Sequence, residues 1–204
     1  MRRSLSVAVV AGFLVGAVVA LASPKPLPLR DRLIAQGEFA GFRPESRTHS
    51  FSTPKAWVVG GPHPSAAQPS AETARLHREG FVAVLSEFLD RGSARGSGLS
   101  WVMQLGSAPS ARAEMKVNLA ESKAQATASG GSLSVFAVPP IPGARGYRVS
   151  GAGSGAENIF FVDGPFVYLV GQAWESGDKT PPTHAALITA VTTLYRRVHS
   201  RPAG

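Results

Sequence analysis

Gly151, Gly153 and Ala156 fit G-x-G-x-x-[GA] within RVSGAGSGAENIFFVDGPFVYLVG (148–171), the spacing of a dinucleotide-binding loop. That chemistry needs the third small residue to open a helix, whose free N–H groups and positive end hold the pyrophosphate. Here Ala156 leads instead into Asn158-Ile-Phe-Phe-Val, a β-rich run. Glu175 stands near the distance of a ribose-binding acid, but it falls beyond the next hairpin. The glycines therefore read as a β–β connection, and no nucleotide is expected.

Other patterns that carry chemistry are equally sparse. No serine has glycine at both −2 and +2, which removes the nucleophile elbow of α/β-hydrolases. His49, His63, His77, His184 and His199 stand far apart with no H-x-x-x-H pair, so zinc has no local signature. The absence of cysteine removes disulfides, thiol catalysis and thiolate metal sites together. Asp163 reads as a turn residue, and Glu87 and Asp90 as solvent-facing or paired with arginine. Trp57, Trp101 and Trp174 are the residues that could line an apolar ligand cleft. Trp101 reads as core and Trp174 as the exposed member. No catalytic, cofactor-binding or metal-ligating residue is assigned, and no cofactor is expected.

The formal net charge is +8, but the basic residues are scattered singly or in pairs, as in Arg30/Arg32, Arg75/Arg78 and Arg196/Arg197. Nucleic-acid binding calls for clustered charge with interleaved aromatics, so none is expected. Dispersed charge serves solubility.

Residues 1–22 carry Arg2 and Arg3, an apolar run from Leu5 to Ala22, and the small-residue site Ala20-Leu21-Ala22. This is the pattern of a signal peptide. The alternative is an uncleaved N-terminal anchor, since eighteen helical residues span about 27 Å, the short end for a bilayer. Either reading exports the body, and membrane contact is expected only through residues 1–22, if they stay uncleaved.

The remaining elements follow from periodicity. Residues 23–64 read as linker, short helix (Leu29, Leu33 and Ile34, ended by Gly37) and Pro-rich loop, with Trp57, Val58 and Val59 tucked on the core. Residues 65–200 read as a single α+β domain. Ser70 caps a helix bearing Arg75 and Glu79 at i,i+4 and ending at Gly80. Residues 81–89 and 99–105 read as strands, the second half-buried through Leu99, Trp101, Met103 and Leu105. Ser107 caps a helix over 108–128 with Ala111, Met115 and Leu119 on its inner stripe. Strands near 133–138 and 146–150 precede a hairpin of 158–163 and 165–172, joined at Asp163-Gly164. A final helix from about Pro181 to His199 presents Leu187, Val191, Leu194 and Val198 on one face, with Thr189, Thr192, Arg196 and Arg197 on the rest. The order predicts an α+β fold, an antiparallel sheet of about five to six strands with helices packed on it and an amphipathic C-terminal helix.

With leader, α+β body and the FFVDGPFVYLVG hairpin, the chain resembles small exported actinobacterial proteins of the PsbP/Mog1-like kind. More loosely, it is similar to extracellular sensor domains of bacterial receptor kinases. The resemblance implies an exported, non-catalytic binding or accessory module for an envelope component, a protein or a small apolar ligand. The competing expectation is a secreted hydrolase whose site assembles from distant His, Asp and Ser residues.

Overall fold

The computed structural model describes residues 27–62, 68–92, 96–128, 130–151 and 154–200. The leader and Gly153 lie outside the described residues. No helix among the described residues is long and apolar enough to cross a membrane.

After a single 3₁₀ turn at Leu29–Arg32 the chain forms β1 (Arg43–Phe51), α1 (Pro54–Gly60), α2 (Pro69–Arg78), β2 (Ala83–Asp90) and β3 (Ser97–Gln104). Then come α3 (Ala108–Ala128), β4 (Ser132–Ala137), β5 (Arg145–Gly151), β6 (Ser154–Asp163), β7 (Phe166–Trp174) and α4 (His184–His199). The strands make one sheet of order β1-β2-β3-β7-β6-β5-β4, antiparallel throughout. Two meanders thus meet at the β3–β7 seam, with α3 carrying the chain from one to the far edge of the other.

The sheet has seven strands, not five to six, and the extra one, β1, corrects the reading of residues 23–64 as linker, short helix and Pro-rich loop. β1 is an edge strand, so its residues are mostly exposed and show no apolar alternation. Pro44 sits at a register irregularity beside β2, a place where a missing N–H costs the ladder little. The Pro-rich stretch also forms α1, with Pro54 at its first turn and Thr53 Oγ1 accepting from Ala56 N at 3.2 Å. Trp57 and Val58 are buried as expected, whereas Val59 is 76% exposed. The expected helix around Leu33 is only the 3₁₀ turn. The cap of α2 is Gln68 with Pro69 in the first turn, not Ser70.

Side chains alternate between two apolar clusters on opposite faces of the sheet. One face holds Val102, Ile159, Phe161, Tyr168 and Val170 beneath α4 and the Leu27–Phe42 segment. The other holds Trp101, Met103, Phe160, Val167 and Leu169 beneath α1, α2 and α3. β3 is therefore buried on both faces rather than half-buried. The β6–β7 hairpin turns at Gly164, whose φ of +56° is the left-handed conformation that Asp-Gly turns require. On α4 the four expected positions are buried, and so is Thr192, which the helical pattern placed on the polar side.

Candidate functional site: a cleft under the third helix

α3 packs on the sheet with an unusual inner face. Its buried residues are Ala111, Glu114, Ser122 and Ala126, while the expected Met115 and Leu119 are only half-buried. A helix seated on a sheet normally fills the space between with large aliphatic side chains. Small and polar ones leave it open.

The sheet beneath is hollowed at the same place. One cross-strand row reads Leu99, Gly171, Asn158 and Tyr147 on β3, β7, β6 and β5, and the next carries Trp101, Leu169 and Phe160. Gly171 lies mid-row, and a Cβ there would stand 1.9 Å from Asn158 Oδ1. The bare glycine is what lets the Asn158 amide lie flat across the sheet. The result is a cleft of about 450 Å³ between Asn118, Ser122 and Gln125 above and Trp101, Tyr147, Asn158 and Phe160 below.

The polar groups are held in place by defined partners. Asn118 Nδ2 donates to Glu114 O (3.0 Å) and Glu114 Oε1 (2.8 Å), which commits the amide nitrogen. Ser122 Oγ donates to Asn118 O at 2.8 Å. Burial pushes the Tyr147 phenol up from its usual range, with Ser122 and Asn158 beside it pulling the other way. Trp101 is fixed edge-on by Trp57 and Phe160, with ring centroids 5.7 and 5.8 Å away. At the α2 end, Arg75 is shared by Glu72, Glu79 and the buried Glu114. Glu114 is raised by its own desolvation, against the pull of Arg75.

Of the histidines singled out in the sequence, His184 and His199 each meet a carboxylate, and His63 lies outside the described residues. His184 Nδ1 meets Glu157 Oε1 at 3.1 Å, and His199 Nδ1 meets Asp163 Oδ1 at 2.9 Å. Among the described residues, neither imidazole is hydrogen-bonded to a serine. Glu157 is buried and also accepts from Arg148 Nε (2.6 Å) and Gln172 Nε2 (2.8 Å), an arrangement that ties β5, β6, β7 and the start of α4 together. No group of three or more His, Asp or Glu among the described residues could hold a metal.

Trp101 and Trp57 are core residues, as read, yet Trp101 also lines the cleft. Trp174 is half-buried, lying against Gly155 at another part of the sheet. Asp90 is exposed and accepts from Gly92 N at 3.0 Å. Glu87 is neither solvent-facing nor hydrogen-bonded to arginine: it is 7% exposed and its Oε1 has no hydrogen-bond partner. Periodicity misses it because a glutamate at an inward strand position looks like an interruption of the pattern.

The architecture defines a three-layer α+β protein, a fully antiparallel sheet between α1–α3 and α4. The chain is similar to the extracellular domain of PknH from Mycobacterium tuberculosis, at 14% identity and a TM-score of 0.49, covering 85% of this chain and 100% of that one. No protein-family model matches the chain, and no curated protein matches it.

Proposed function

We propose that the protein is an exported, non-catalytic module that binds a small neutral amphipathic ligand in the α3 cleft. The observation that carries this reading is the cleft's lining: aromatic faces from Trp101, Tyr147 and Phe160, with the polar groups of Asn118, Ser122, Gln125 and Asn158 converging on them. Apolar walls with a few placed hydrogen-bonding groups are the usual make-up of a small-molecule site. Among the described residues no charged side chain lines it, so a charged ligand would lose its hydration without a counter-charge. Export is supported by the leader at residues 1–22.

Ser122→Leu is the informative variant. Its added side chain fills the roof of the cleft with apolar volume and removes one hydroxyl. Calorimetric titration with 2-naphthol, a neutral two-ring probe with one hydroxyl, is expected to show binding to the parent. The variant should bind at least tenfold more weakly while keeping or raising the melting temperature. Equal binding by both would place the ligand elsewhere.

A further inference from the structure

On the opposite face of the sheet, the segment from Leu27 to Phe42 is clamped down by named contacts. Arg32 Nη1 donates to the Tyr168 hydroxyl at 2.7 Å, and its guanidinium lies 3.8 Å over the Phe166 ring. Ile34 N donates to Ser100 Oγ at 3.1 Å. Arg197 of α4 binds Glu38 (Nε–Oε1 2.7 Å, Nη2–Oε2 2.8 Å) and donates to Leu33 O at 2.6 Å. Between this segment, β1 and β2 runs a groove of about 470 Å³, with Leu27, Leu33, Ile34 and Pro44 as apolar walls and Glu87 among its lining residues.

A buried carboxylate oxygen without a donor is costly, and native structures seldom leave one. The neighbouring cations do not supply the missing bond. Arg197 is committed to Glu38 and to main-chain carbonyls, and Arg32 spends Nη1 on Tyr168 and Nε on Leu27 O, while its buried Nη2 has no partner either. Arg30, exposed at the groove, acts on Glu87 through its charge alone, with no hydrogen bond between them.

We propose that this groove is a second binding site, independent of the α3 cleft, for a primary ammonium on a short apolar body. The ammonium donates to the Glu87 carboxylate, and the body lies against Leu27, Leu33, Ile34 and Pro44. The charged groups around it are Arg30, Asp31 and Arg32 from the 3₁₀ turn, Glu38 from the following loop, and Arg197 from α4; β1 lines the groove with Pro44.

Binding should follow the ionisation of Glu87. Burial pushes this carboxyl up to about 7, with Arg30 opposing. The anion that an ammonium needs is thus scarce at pH 6 and dominant at pH 8, so affinity rises about tenfold over that interval by linkage.

The test is calorimetric titration of the full chain with hexylammonium chloride at pH 6 and pH 8, beside 1-hexanol and hexanoate. Hexylammonium is expected to bind about tenfold more tightly at pH 8, and hexanol to bind weakly with no pH dependence. Glu87→Gln should weaken hexylammonium at least tenfold at pH 8 and abolish its pH dependence. Equal affinities for hexylammonium and hexanol, or affinity for hexylammonium unchanged between the two pH values, would overturn the proposal without recourse to the variant.

Discussion

Leu194→Ala is expected to cost about 2–5 kcal/mol of folding stability, the range for truncating a fully buried leucine. Leu194 is 1% exposed and lies with Leu187, Val191 and Val198 in the cluster that α4 shares with Ile159, Phe161, Tyr168 and Val170. Against a total of roughly 5–15 kcal/mol, the loss should appear as a large drop in melting temperature. Thr193→Ala is the control, because Thr193 is exposed and its hydroxyl bonds only Thr189 O within the same helix. Thr192 is unsuitable as a control. Its buried hydroxyl has no partner, so Thr192→Val should be neutral or stabilising. An unchanged melting temperature for Leu194→Ala would mean that α4 is not part of the folding unit.

Arg75→Met should be comparably damaging, by about 3–5 kcal/mol, the cost of stranding a buried partner charge. The guanidinium serves Glu72, Glu79 and Glu114 at once, and its loss leaves three carboxylates facing one another with Glu114 out of water. The pH dependence has a definite sign. Burial already holds the Glu114 carboxyl above its unfolded value, so its contribution is fully present below that value and is lost as pH rises through the folded one. Removing Arg75 takes away the opposing pull and widens the window. The deficit of the variant relative to the parent should therefore be greater at pH 8 than at pH 5, as read by thermal denaturation at both. A constant deficit would show that Arg75 acts through packing of its stem instead.

What was legible in the sequence is what local chemistry controls. The α3 boundaries follow from Ser107, whose Oγ accepts from Ser110 N at 3.2 Å, and from the glycines after Ala128. The Asp163-Gly164 turn and the buried stripe of α4 are read from two or four neighbouring residues. The glycine stretch led to a strand, not a helix, and β5 does pass to β6 as a hairpin. β1 was not legible, because an edge strand is stabilised by the ladder it joins and needs no apolar alternation of its own.

The cleft was invisible for a different reason. Tyr147, Asn158, Gly171 and Leu99 are scattered over β5, β6, β7 and β3, and only the register of four strands sets them in one row. Glu114 likewise meets Arg75 across 39 positions of sequence, so the i,i+4 pair of Arg75 and Glu79 revealed only part of the network. On α3 itself, Asn118 and Ser122 look like surface residues in any periodic pattern. They become informative only once they are found facing Trp101 and Tyr147.

The central claim is that a neutral ligand enters between α3 and the sheet, and chemical-shift mapping during titration with 2-naphthol tests it most directly. The indole N–H of Trp101 and the side-chain amides of Asn118, Gln125 and Asn158 should shift together and saturate at one concentration, with the indole N–H of Trp174 unmoved. Shifts centred on Trp174, or none at any of these groups, would contradict it.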